Sequence, residues 1–189
     1  MDLNKLAKEI HENAKAHGWY DEEHSREHYF MLVITELSEA IEADRKGENA
    51  NVDRFNEWMN RPMYLAQYTE VDRLKDAFEC FIKGTIEEEL ADTCIRLLDL
   101  AGAIGEDLKE VDEEYVDDIT NNLSKMKDFT QQVYHIIYDD LAFIAYGVHK
   151  SLMSIFALCK VRNIDIEWFI QQKMKYNKLR PYKHGNKQY

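Results

Sequence analysis

The sequence predicts an all-α fold: one domain, residues 1–189, built as a multi-helix bundle. Three observations point there. Only two prolines and seven glycines occur in 189 residues, while charged residues make up 32%, as expected of long helices joined by few tight turns. Apolar residues recur every three or four positions along most of the chain, the period of a helix with one buried face. The length suits one domain with a substantial core.

Taken in order, residues 2–17 place Leu3, Leu6, Ala7, Ile10 and Ala14 on one side, and His17-Gly18 ends that helix. Trp19-Tyr20 open an acidic connector. Ser25 is the expected N-cap of a second helix that stops at Lys46-Gly47. Residues 48–69 are less regular, with a short helix over Val52–Met59 and a break at Arg61-Pro62. Tyr68–Lys83 is helical again through Val71, Leu74, Phe78 and Phe81. Gly84-Thr85 punctuates, and a further helix runs to about Gly105, burying Leu90, Cys94, Leu97 and Ala101. Asp107–Asp118 reads as a solvated acidic stretch. Ile119–Lys160 carries long apolar helical segments, expected as core or subunit interface, with no chemical motif between Glu106 and Arg162.

The net charge of −12 argues against a general binder of nucleic-acid polymers or anionic membranes. No apolar run approaches the ~18–20 residues that span a bilayer. The amphipathic N-terminal segment lacks an apolar signal core. Cys80, Cys94 and Cys159 are odd in number and widely spaced, which fits reduced core thiols better than a disulfide framework or zinc site. A cytoplasmic protein is expected.

Two acidic pairs carry the chemical signal. Glu36 and Glu39, in ITELSEAIEADRKG, lie about 60° apart on their helix, beside Tyr29, Leu32, Val33, Ala40 and Ala43. Pairs with this spacing arise by chance in so acidic a chain, as Glu9/Glu12 and Glu110/Glu113 do. This pair differs because it sits in an apolar stripe, where a carboxylate is costly unless something positive meets it. The second pair, Glu89 and Asp92 in EEELADTCIRLLDLAG, flanks another apolar face. Two such helices packed antiparallel would gather four carboxylates around one space. Oxygen-only ligation suits Mg²⁺, with Mn²⁺ a possible substitute. Such ions bridge a polyphosphate and acidify an attacking water, and a spare carboxylate can take its proton.

The last segment differs in charge. Gln171–Tyr189 holds six basic residues, Lys173, Lys175, Lys178, Arg180, Lys183 and Lys187, and no acid. It reads either as a solvated end or as a segment gripping phosphate at an acidic, metal-loaded site. A di-iron carboxylate bundle would need Glu-x-x-His on two helices, and none of the seven histidines supplies it. Nor is there a GxxxxGK[ST] loop or an HExxH. Trp19, Trp58 and Trp168 could stack on a base, though core or interface is the ordinary fate of each.

In this combination the residues resemble a known family. Glu36-x-x-Glu39 followed by Glu89-x-x-Asp92, with Gly18-Trp19-Tyr20-Asp21 before them and KMKYNKLRPYKHGNK after them, is similar to the MazG-like, all-α nucleoside triphosphate pyrophosphohydrolases. The resemblance covers roughly half the chain, in order. It implies Mg²⁺-dependent cleavage of a (deoxy)nucleoside triphosphate to the monophosphate and pyrophosphate. It implies metal ligation by Glu36, Glu39, Glu89 and Asp92, with Glu39 taken as the residue that activates water. It implies substrate contacts from Lys173, Asn177 and Arg180, then Lys183 and Lys187, with Trp19 and His28 as candidate base readers. A homodimer or homotetramer is also implied. The chain departs from the family pattern in two insertions, about 48–80 and 106–160. The first leaves 49 residues between Glu39 and Glu89. The competing expectation is a non-catalytic helical oligomerisation or regulatory protein that retains the carboxylates.

Overall fold

The computed structural model describes residues 1–141, 147–186 and 188, apart from the side chains of 140, 141 and 186. Among these residues the chain is all α, without strands. The helices are α1 (Leu3–Ala16), α2 (Arg26–Lys46), α3 (Val52–Asn60), α4 (Pro62–Gln67), α5 (Glu70–Phe81), α6 (Ile86–Ile104), α7 (Glu113–Leu123), α8 (Phe129–Ile136), α9 (Val148–Val161) and α10 (Ile166–Asn177). A π-helical turn, Ile137–Leu141, follows α8, and a short turn, Lys183–Asn186, follows α10.

Local chemistry sets most of these limits. Asp2, Ser25, Asn51, Thr69, Thr85, Asp112, Asp128 and Asp165 each accept a backbone N–H from the first turn of the helix they precede, satisfying a donor the helix cannot. Helices α2 and α6 end on Gly47 and Gly105, both left-handed, where glycine carries no Cβ penalty. The start of α9 is different. Gly147 offers no side chain, and the Glu106 carboxylate accepts from the backbone N–H groups of Val148 (3.0 Å) and His149 (3.1 Å).

Helix α6 is the hub, packed against α1, α2, α9 and α10. Ile86, Leu90, Ala91, Cys94, Leu97, Leu98, Leu100 and Ala101 are all buried in one core with Val33, Leu37 and Ala40 of α2. Helices α2 and α6 run antiparallel: Ile86 N–H meets the Glu48 carbonyl at one end, and Arg96 meets Glu36 further along. Helix α1 crosses α6 at Gly102, where a Cβ would press on the His11 Cβ and the Ala7 carbonyl. An ordinary helical Gly→Ala change stabilises by up to ~1 kcal/mol. Here overpacking wins, and Gly102→Ala is expected to destabilise by about 1–3 kcal/mol, read by urea unfolding.

Several sequence expectations need correction. The break at Arg61-Pro62 is present, α3 ending at Asn60 on an extended Arg61, but Pro62 also opens a helix that was not expected, α4, at a position that suits its fixed φ. Val71, assigned to the apolar face of α5, is exposed. Residues 107–118 are not merely solvated, since Leu108 and Val116 are buried and α7 starts at Glu113. The helical segments expected over 119–160 are present as the end of α7, α8 and α9, with α8 starting on the Asp128 cap; residues 142–146 lie outside the described residues. Cys94 and Cys159 are buried free thiols as expected, but Cys80 is exposed.

Candidate metal centre and cleft

The buried stripe of α2 is Phe30, Val33, Leu37, Ala40 and Ala43, and Glu36 falls inside it, 8% exposed. Glu39 lies about 60° further round, beyond the edge of that stripe, and is exposed. On α6, the residues Glu88, Asp99, Asp92, Arg96 and Glu89 share a sector of about 100°, opposite the apolar core face. The first turn of that helix, Glu87-Glu88-Glu89, places carboxylates at the positive end of the helix dipole. Glu87 looks away, accepting the Ala50 N–H at 2.9 Å and tying down the chain after α2.

Packing α2 on α6 brings Glu36, Glu89 and Asp92 together, with one carboxylate oxygen from each lying within 4.8 Å of the others. Each is held differently. Glu36 accepts the Arg96 Nε–H at 2.9 Å; burial first, then Asp92, raises its carboxyl above the usual range against the pull of Arg96. Asp92 is paired with the Lys173 ammonium at 2.5 Å. Lys173, 4% exposed, also meets Glu88, which in turn accepts the Gly84 N–H at 2.6 Å. Burial works against the Lys173 ammonium, yet Asp92 and Glu88 hold its pKa above the usual lysine value. Among the described residues Glu89 has no ion-pair partner, and the Lys173 charge is the smallest of the influences on it. Burial, then the negative charges of Glu88, Asp92 and Glu39, push its carboxyl up to about 8.

These acids line a cleft of about 510 Å³, within the usual size of a small-ligand site. Its floor is the α6 stripe; α2 adds Leu32, Thr35, Glu36 and Glu39, and α1 adds Ile10, Asn13 and Ala14. Lys173 and Asn177 of α10, Arg180, His184, Trp19 and Lys83 complete the wall. The Asn177 Oδ1 is buried without a hydrogen-bond partner among the described residues, an acceptor that a ligand donor would satisfy. At the far end Asp99 meets His11 Nδ1 at 2.9 Å. A larger groove of about 790 Å³ between the N-terminus and residues 108–116 gathers no comparable cluster.

Of the site residues named from sequence, Glu36, Glu39, Glu89, Asp92, Lys173, Asn177, Arg180 and Trp19 all line this one cleft. Glu39 does so from outside the close trio. Lys183 does not line it; its backbone N–H donates to the His17 carbonyl at 2.9 Å. His28 also lies off the cleft, stacked on His24 with ring centroids 4.2 Å apart. Lys187 lies outside the described residues. Sequence reasoning missed Glu88, Arg96 and Asp99. Arg96 had a signal, falling four residues after Asp92 and so on its face.

All-oxygen donors and a buried glutamate without an ion pair among the described residues fit a hard divalent cation. No protein-family model, curated protein or solved structure matches the chain.

Proposed function

We propose that the chain is a divalent-metal-dependent nucleoside triphosphate pyrophosphohydrolase of the MazG-like kind, releasing pyrophosphate and a nucleoside monophosphate. The observation that carries this reading is the convergence of Glu36, Glu89 and Asp92 from two helices, their oxygens within 4.8 Å, in a cleft that also holds cationic side chains. Those three residues would hold Mg²⁺, or Mn²⁺ in its place, with Glu39 at the exposed rim as a further ligand or as the base. The ion supplies charge neutralisation at the phosphates and acidifies water.

The remaining work falls to the chain itself. Arg180 and Lys83 carry the positive charge that would meet the phosphates. Glu39, exposed at the rim, would take a proton from water. The apolar end formed by Ile10, Ala14, Trp19 and Leu32 would shield the nucleoside. A homodimer or homotetramer belongs to the same proposal, supported by Met63, Leu65, Tyr68 and Val71, large apolar side chains left exposed along α4 and the start of α5.

One observation favours a different reading. Lys173 already offsets Glu88 and Asp92, as expected of a structural ion cluster in a non-catalytic helical protein. Pyrophosphate release from a panel of nucleotides with Mg²⁺ separates the two. Activity lost in Glu36→Gln and Asp92→Asn is the expected result. Activity in both variants equal to wild type would refute the site, and no activity on any nucleotide would favour the structural reading.

A further inference from the structure

The segment after α10 brings Arg180 and His184 to the wall of the cleft and is fastened to the loop after α1 by contacts outside the carboxylate cluster. Gly18 has φ +80°, and a Cβ at that position would run into the Tyr182 ring. The glycine is thus needed twice, for its backbone conformation and for the space the ring takes. The Tyr182 hydroxyl donates to the Asp21 carboxylate. Two further bonds flank this contact: Lys183 N–H to the His17 carbonyl at 2.9 Å, and His17 Nε2 to the Arg180 carbonyl at 3.1 Å. The same turn sets the His184 ring edge-on to Trp19, with centroids 5.0 Å apart.

These contacts join the loop after α1 to residues 180–184 and hold the Arg180 backbone at its carbonyl. Arg180 lines the cleft and has no carboxylate partner among the described residues, whereas Lys173 and Arg96 are both held by acids of the cluster. With Lys83, it is thus a cation of this wall able to meet an incoming anion, and α10, which ends at Asn177, holds it only through the Arg180 N–H donated to the Asn177 carbonyl at 3.2 Å.

We infer that Tyr182 is a positioning residue: its ring on Gly18 and its hydroxyl on Asp21 latch residues 180–184 over the cleft and present Arg180 to the anionic part of a bound triphosphate. The role of Arg180 rests on the hydrolase reading; the latch itself does not. Opening the latch frees Arg180 and removes one charge-assisted contact from the ligand, while the carboxylates on α2 and α6 keep their places.

Two readouts test it on the full chain. In limited trypsinolysis mapped by mass spectrometry, Tyr182→Ala and Gly18→Ala are expected to be cut after Lys178 or Lys183 at least about fivefold faster than wild type, and Tyr182→Phe, which keeps the ring, within about twofold. With a non-hydrolysable nucleoside triphosphate and Mg²⁺, Tyr182→Ala is expected to bind about tenfold more weakly and to raise KM with little change in kcat, as loss of uniform binding does. Unchanged cleavage in both Tyr182→Ala and Gly18→Ala would overturn the latch. Faster cleavage with unchanged affinity would overturn the positioning of Arg180. A wild-type protein that binds no nucleotide would instead defeat the hydrolase reading and the role of Arg180 with it, leaving the cleavage rates to decide the latch alone.

Discussion

Glu89→Gln is expected to do two opposite things: abolish nucleotide hydrolysis and stabilise the metal-free protein at alkaline pH. On the proposed reading Glu89 is a metal ligand, and a neutral amide there weakens ion binding. A bound ion supplies several kcal/mol of transition-state stabilisation, so the loss in kcat/KM is on the order of 10³-fold at ~1.4 kcal/mol per decade. The stability effect comes from burial. Glu89 titrates near 8 in the fold against an ordinary value of 4.5, so between those values the folded chain holds a proton that the unfolded chain has released. Its contribution is therefore fully present below about pH 4.5 and is lost as pH rises through 8. The cost at pH 9 is on the order of 2–3 kcal/mol, because neighbouring carboxylates share the protonation. Denaturant midpoints of wild type measured from pH 5 to 9 should fall, and the variant should remove most of that slope. A variant with wild-type slope would mean that Glu89 is solvated.

Lys173→Met should strongly destabilise the metal-free fold. Its ammonium is buried between Glu88 and Asp92, and removing one partner of a buried ion pair costs about 3–5 kcal/mol because the other charge is left uncompensated. For a chain of this length that lowers Tm by on the order of 10 °C. Methionine keeps the stem and fills the space, so the loss is electrostatic. If the cluster accepts divalent cations, millimolar Mg²⁺ or Mn²⁺ should restore a large part of the loss in this variant and a smaller part in wild type. Equal melting of variant and wild type would contradict the buried pair, and a metal response of equal size in both would mean that ions bind elsewhere.

The helices that build the cleft were legible because their signals are local. Ser25 and Gly47 bound α2, Thr85 and Gly105 bound α6, and the apolar period on each told which face packs. Glu36 could be singled out because it interrupts that period. Glu88 could not. It stands in a run of three glutamates, and what buries it is Lys173, 85 positions away in sequence, a choice made by tertiary packing. The same contact turned a lysine of the basic tail into a buried cation, where charge density alone offered only a solvated end or a phosphate grip. Helix α4 was hidden for another reason: Arg61-Pro62 reads equally as the stop of one helix or the start of the next, and PMYLAQ, which buries nothing, shows no helical stripe to decide it. The latch at Gly18 was partly visible, since Gly18-Trp19-Tyr20-Asp21 stood out, but its partner Tyr182 is a contact across 161 positions.

Whether acids from α2 and α6 jointly hold a divalent cation is decided by anomalous diffraction from crystals grown with Mn²⁺ and a non-hydrolysable nucleoside triphosphate. The expected result is an anomalous peak in contact with carboxylate oxygens of Glu36, Glu89 and Asp92. Mn²⁺ found only at other acidic surfaces, with the Lys173 ammonium still bridging Glu88 and Asp92 and nucleotide bound away from the cleft, would contradict it.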